Sequence, residues 1–133
     1  MRHLMKLSRL AVVVMIVPMA AACVAAAGAA AGAAAAIALD ERNATADVTA
    51  SVGQLTTATE TAFREMGIEV TNRSSATDGT TAQLRGMHEG ANVTVDMERR
   101  ESTTRVVVTA REGDLGYRPS QAGRILQRIL DRV

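Results

Sequence analysis

No charged side chain occurs between Arg9 and Asp40. This 30-residue gap divides the chain into two parts that cannot fold by the same rules. Before it lie Arg2, Lys6 and Arg9; after it lie all 14 carboxylates. Within it, an apolar run from Leu10 to Met19 gives way to a stretch in which alanine fills 14 of the 19 positions from Ala20 to Ala38. The hydrophobic content of 47% is therefore a poor guide to core size. From Asn43 to Val133 only 22 of 91 residues are Val, Ile, Leu, Met, Phe or Tyr, which is enough for one modest core and no second domain. Phe63 and Tyr117 are the only aromatic residues, so aliphatic packing must carry that core.

The first 22 residues have the layout of an export signal. A positive end is followed by a short apolar run with Pro18 near its close, then by Ala20, Ala21 and Ala22, and then by Cys23. The positive end stays on the cytoplasmic side, the apolar stretch inserts, and a peptidase needs small side chains beside the scissile bond. Cys23 is the only cysteine, so no intramolecular disulfide can form, and its place directly after three alanines is that of a lipidated residue. The Ala22–Cys23 bond is the expected cleavage site. Two other outcomes fit the same residues: an uncleaved anchor, since the uncharged stretch is long enough to span a bilayer, or an ordinary signal-peptidase cut that releases a soluble chain.

Residues 23–42 read as the lipidated cysteine and an Ala/Gly-rich tether. Gly28 and Gly32 make a small-xxx-small pair that would let two helices approach closely in a membrane. A membrane-inserted oligomerisation module built on that pair is the alternative to the tether.

Residues 43–133 read as one α+β domain. Thr45 to Ala50 is a short polar strand. Val52, Leu55, Ala58, Ala62, Phe63 and Met66 then fall on one face of a helix, and Gly67 stops it. Strands follow from Ile68 to Arg73, with Ile68, Val70 and Asn72 on one face, and from Thr80 to His88. The next has Val93, Val95 and Met97 on one face, and the last has Thr104, Val106, Val108 and Ala110. Ser120 is the expected N-cap of a final helix whose Ala122, Ile125, Leu126, Ile129, Leu130 and Val133 form an apolar stripe. The order is β-α-β-β-β-β-α. It predicts a single antiparallel sheet of four to five strands, with both helices on one face and a polar, Thr-rich face opposite.

Chemistry-bearing residues are sparse. After the signal, 12 arginines face 14 carboxylates, a net charge of −2 that gives no footprint for nucleic acid. His88 is the only histidine beyond the signal, so a zinc site lacks a second nitrogen or sulfur ligand. Beside Glu89 and Gly90 it reads as an exposed loop residue. Glu112 and Asp114 flank Gly113 and read as turn chemistry, not as an acid-base pair. Arg73, Arg99, Arg100, Arg105 and Arg111 are interleaved with Glu98, Glu101 and Glu112, the pattern of a solvated face. Asn43, Asn72 and Asn92 each begin an N-x-S/T triplet, which has meaning only in a glycosylating compartment. No phosphate loop, dinucleotide fingerprint or nucleophile elbow occurs, so no catalytic residue, cofactor or metal is assigned.

Taken together, Cys23, the Met66-Gly67-Ile68 helix end, the Thr104 to Val108 strand, Gly113-Asp114 and Ser120 leading into Ile125 are similar to a family of short Gram-negative lipoproteins of unknown function. This chain departs from that family by a longer Leu115 to Pro119 link. The resemblance implies a lipid anchor at Cys23. With Val24 and not Asp after the cysteine, it implies an outer-membrane destination facing the periplasm. A non-enzymatic module engaging membrane lipid, and envelope protein or polymer, is the function expected.

Overall fold

The computed structural model describes residues 35–114 and 116–133. They form one antiparallel sheet and two helices, in the order β1 (Ala38–Leu39), β2 (Asn43–Val48), α1 (Val52–Met66), β3 (Glu69–Ser75), β4 (Thr81–His88), β5 (Ala91–Arg99), β6 (Thr104–Glu112), β7 (Gly116–Tyr117) and α2 (Pro119–Leu130). The sheet has seven strands where four to five were expected. The two additional ones, β1 and β7, are two residues each. Segments that short show no alternation, so periodicity alone does not reveal them.

Strands β3 to β6 form a meander, and β2 joins it on the far side of β6, giving the spatial order β1-β2-β6-β5-β4-β3, with β7 paired to β6. Helix α1 must therefore carry the chain from one side of the sheet to the other. It packs over β3, β4 and β5, while α2 packs over β1, β2 and β6 and against α1. Both helices lie on one face, as the apolar stripes require.

Local signals fix the elements. Ser51 and Gln54 form a capping box at the start of α1, the Ser51 hydroxyl accepting from the Gln54 N–H at 3.1 Å and the Gln54 amide oxygen accepting from the Ser51 N–H at 2.9 Å. Gly67, at φ +69°, ends the helix, and the Ile68 N–H reaches back to the Phe63 carbonyl at 2.8 Å. Helix α2 starts differently from the expectation at Ser120. Its N-cap position is Arg118, which makes no side-chain cap, and Pro119 opens the first turn. Proline has its φ already set and no N–H to satisfy, which moves the start ahead of the serine. Glu89 and Gly90, both at positive φ, make a two-residue turn between His88 and Ala91.

The core is aliphatic with one ring. Phe63, Leu55, Leu84, Met97, Val95, Ile125, Leu126 and Ile129 are fully buried in one cluster, so the apolar stripe of the last helix shares a core with Leu55, Phe63 and Val95. Gly86 permits this packing. A Cβ there would stand 2.6 Å from the Glu69 carbonyl oxygen, 2.7 Å from Ile68 Cγ2 and 3.3 Å from the Phe63 ring. Packing extends N-terminal to Asn43: Ala35 and Ile37 lie against the core, and the Leu39 side chain reaches Gly123 of α2.

One expectation about facing is corrected. The β3 register shifts between Val70 and Asn72, a bulge at Thr71. Val70 faces the helices, but Asn72 pairs with Arg85 on the opposite face. A single inserted residue reverses every side chain beyond it. The bulge and the exposed polar side chains of β3 also protect this outer strand from pairing with another chain.

Candidate functional site

The helix-free face of the sheet gathers the polar residues. Alternation along each strand puts them there, and the register sorts them into rows across the strands. One row runs Asn72, Arg85, Thr94, Thr109, Asn43, crossing β3, β4, β5, β6 and β2. A second runs Ser74, Gln83, Asp96, Val107, Thr45. A third brings Thr81, Glu98, Arg105 and Asp47 together, and a fourth Glu69, Met87, Asn92, Arg111 and Tyr117.

The β2–β6 side of this face is internally paired. Arg105 donates from Nε to Asp47 Oδ1 at 3.0 Å and from Nη2 to Oδ2 at 3.3 Å. The hydrogen bond from Arg105 holds the Asp47 carboxyl below the ordinary aspartate range, and Asp47 in turn raises the arginine. The Thr109 hydroxyl donates to Asn43 Oδ1 at 2.6 Å. In the centre, Gln83 donates to Asp96 at 2.6 Å and accepts from Arg85 Nε at 2.9 Å.

Two open clefts flank the Gln83–Asp96 pair. One, of about 490 Å³, is bordered by Ser74, Thr81, Glu98, Arg105 and Val107. The other, of about 750 Å³, is bordered by Asn72, Arg85, Thr94, Thr109, Arg111 and Tyr117. At its border the Arg111 guanidinium lies 5.6 Å from the Tyr117 ring centre, and the Arg42 guanidinium lies 5.2 Å from the same ring. Arg111 also bonds the Asp114 carbonyl, yet its Nε–H is buried without a hydrogen-bond partner among the described residues. A buried donor left unpaired is destabilising and calls for an acceptor.

The residues singled out in the sequence fall as follows. Ala22, Cys23, Gly28 and Gly32 lie outside the described residues. His88 closes β4 instead of sitting in an exposed loop. Its side chain is 16% exposed, with Nε2 3.9 Å from Glu89, because the two-residue turn leaves it inside the ladder. Glu112 is held by Arg118 and Asp114 approaches Arg111 at 3.7 Å, so each carboxylate has its own arginine in the Gly113 turn. The arginines do not make a patch. Arg73, turned to the helix side by the bulge, meets Glu60 at 3.1 Å, and Arg100 meets Glu98 at 3.3 Å. Among the described residues no group of three His, Cys, Asp or Glu side chains is placed to hold a metal, and no helix is long and apolar enough to cross a membrane. Asn43 and Asn92, read from the sequence only as triplet starts, lie with Asn72 on the polar face.

No curated protein matches this chain. A family model described as a protein of unknown function, DUF3568, matches residues 5–132. That match runs from the apolar N-terminal segment through the last helix, and the chain belongs to the DUF3568 family.

Proposed function

We propose that this protein is a non-enzymatic, lipid-anchored module of the cell envelope, held at the outer membrane by an acylated Cys23 and presenting its polar sheet face to the periplasm. The observation that carries the reading is the order of segments in the chain. Positive residues at 2, 6 and 9, an apolar run and three alanines lead to the lone cysteine, and an Ala/Gly-rich stretch then leads to a packed domain. Acylation of the first mature residue by more than one chain would give stable attachment, which a single chain does not. The helix layer buries the apolar surface against the sheet, so the face left for contact with an envelope partner is the polar one.

Intact mass of the membrane-extracted protein tests the anchor. The expected species begins at Cys23 and carries acyl chains, and Cys23→Ser abolishes acyl labelling and leaves unprocessed precursor. A soluble mature form beginning elsewhere, or an uncleaved chain in the membrane, overturns the reading.

A further inference from the structure

We infer that the row Asn72, Arg85, Thr94, Thr109, Asn43 is a binding track for an uncharged, hydroxyl- and amide-rich polymer, that is, a glycan strand lying across the β-strands. The inference rests on the envelope reading above and names the class of partner for the polar face.

Three observations carry it. The first is continuity. The row crosses five adjacent strands without an apolar interruption, about 19 Å at the usual interstrand spacing, long enough to meet several sugar residues. Its side chains are amides, hydroxyls and one guanidinium, groups that serve sugar hydroxyls and acetamides in both directions. Asn72 and Thr94 make no side-chain hydrogen bond among the described residues. Thr109 and Asn43 bond each other through one oxygen, which leaves the Asn43 amide N–H groups and the threonine lone pairs available. The second is shape. Asn72, Arg85, Thr94 and Thr109 border the 750 Å³ cleft, so the row lies in a depression and not on a ridge. The third is the Nε–H of Arg111 at the border of the same cleft, a buried donor with no acceptor among the described residues.

Charge separates this partner from a polyanion. On this face Arg42, Arg85, Arg100, Arg105 and Arg111 are matched by Asp47, Glu69, Asp96, Glu98 and Asp114, which gives no net positive field to draw a phosphate or carboxylate polymer. Chemistry separates it from a protein partner. Protein interfaces centre on large apolar anchors, and this row has none. Val107 and Tyr117, half-buried beside the row, offer instead the small flat apolar surfaces that suit the C–H face of a sugar ring.

The test uses the full chain in detergent, ¹⁵N-labelled, titrated with the hexasaccharide of N-acetylglucosamine. Saturable amide shifts are expected at Asn72, Arg85, Thr94 and Thr109 and on the Arg111 side chain, with affinity little changed between low and high salt. The double variant Asn72→Ala, Thr94→Val should bind about tenfold more weakly, since two uncharged hydrogen bonds are lost. Arg124→Ala, exposed on α2, should bind as the wild type. Three results would each overturn the inference: no shifts on the folded wild-type chain, shifts confined to the helix layer, or binding only to a sulfated oligosaccharide and only at low salt. The wild-type shift map stands even if the double variant does not fold. Acyl labelling of Cys23 is read separately, so a lipidated chain that ignores the hexasaccharide refutes the glycan track and leaves the anchor intact.

Discussion

Val93, Val95 and Met97 come from the same strand as Thr94 and Asp96, yet the two sets are held by different physics. The first three are buried in the core beneath the helix layer and gain by leaving water; their neighbours one residue away stay half-exposed and face the clefts. The helix face is intolerant, because its side chains fill a shared volume. The polar face is internally bonded on the β2–β6 side, where Arg105, Asp47, Thr109 and Asn43 satisfy one another, and at Arg85, Gln83 and Asp96 in the centre, while Asn72 and Thr94 make no side-chain hydrogen bond among the described residues. What the contrast teaches is where variation is free to alter binding without endangering the fold.

The comparison breaks most sharply at Ile129. Ile129→Asp puts an unpaired carboxylate into the fully buried cluster and is expected to cost roughly 3–5 kcal/mol, enough to unfold a marginal domain. Urea melts with a midpoint near the wild type would show that α2 does not dock. Gly86→Ala tests the same face by overfilling. With backbone oxygen and Ile68 in the way, a loss of about 1–3 kcal/mol is expected in the same melts. Val95→Ala against Thr94→Ala sharpens the contrast within one strand. The buried change should lose about 2 kcal/mol and its neighbour less than about 0.5. Equal losses would mean that the polar face is structural and not free.

The smallest effect is one of pH. Asp47 has its folded pKa depressed by Arg105, Asp40 by the backbone N–H groups of Arg42 and Asn43, and Asp78 by the Thr80 hydroxyl and N–H. A depressed carboxylate contributes stability that is present above its unfolded pKa and is lost as pH falls through the folded value. The wild type should therefore weaken as pH falls from the ordinary carboxylate range through the depressed folded values. Asp47→Asn should flatten that acid limb slightly in melts taken as a pH series, and an unchanged slope would show that the Arg105 pair is thermodynamically silent.

Much of the helix face was legible in the sequence. Alternation at Val93, Val95 and Met97, and the spacing from Ala122 to Leu130, identified the buried side chains, because burial acts on each residue and leaves a periodic trace. The polar face was legible only as a composition. Which residues share a row depends on register, and register here depends on the Glu89–Gly90 turn, on the Thr71 bulge and on β2 pairing with β6 across more than fifty residues. None of these leaves a periodic mark. Asn72 shows the consequence: its spacing from Ile68 and Val70 assigns it to the core side, and one inserted residue turns it to the other.

Leu39 is 58% exposed and rests at the surface over Gly123, in a strand of two residues paired to β2. Mechanically, this stretch, with Ala35 and Ile37 against the core just before it, is where a pull arriving from the N-terminal side of the chain meets the domain. The two β1–β2 register pairs carry that load before the six pairs of β2 and β6 do. Detaching Ala38 and Leu39 pays out a short length of chain while Ala44, Ala46 and Val48 keep the core closed. Two register pairs hold less than six, so under tension this strand is expected to yield before β2 does.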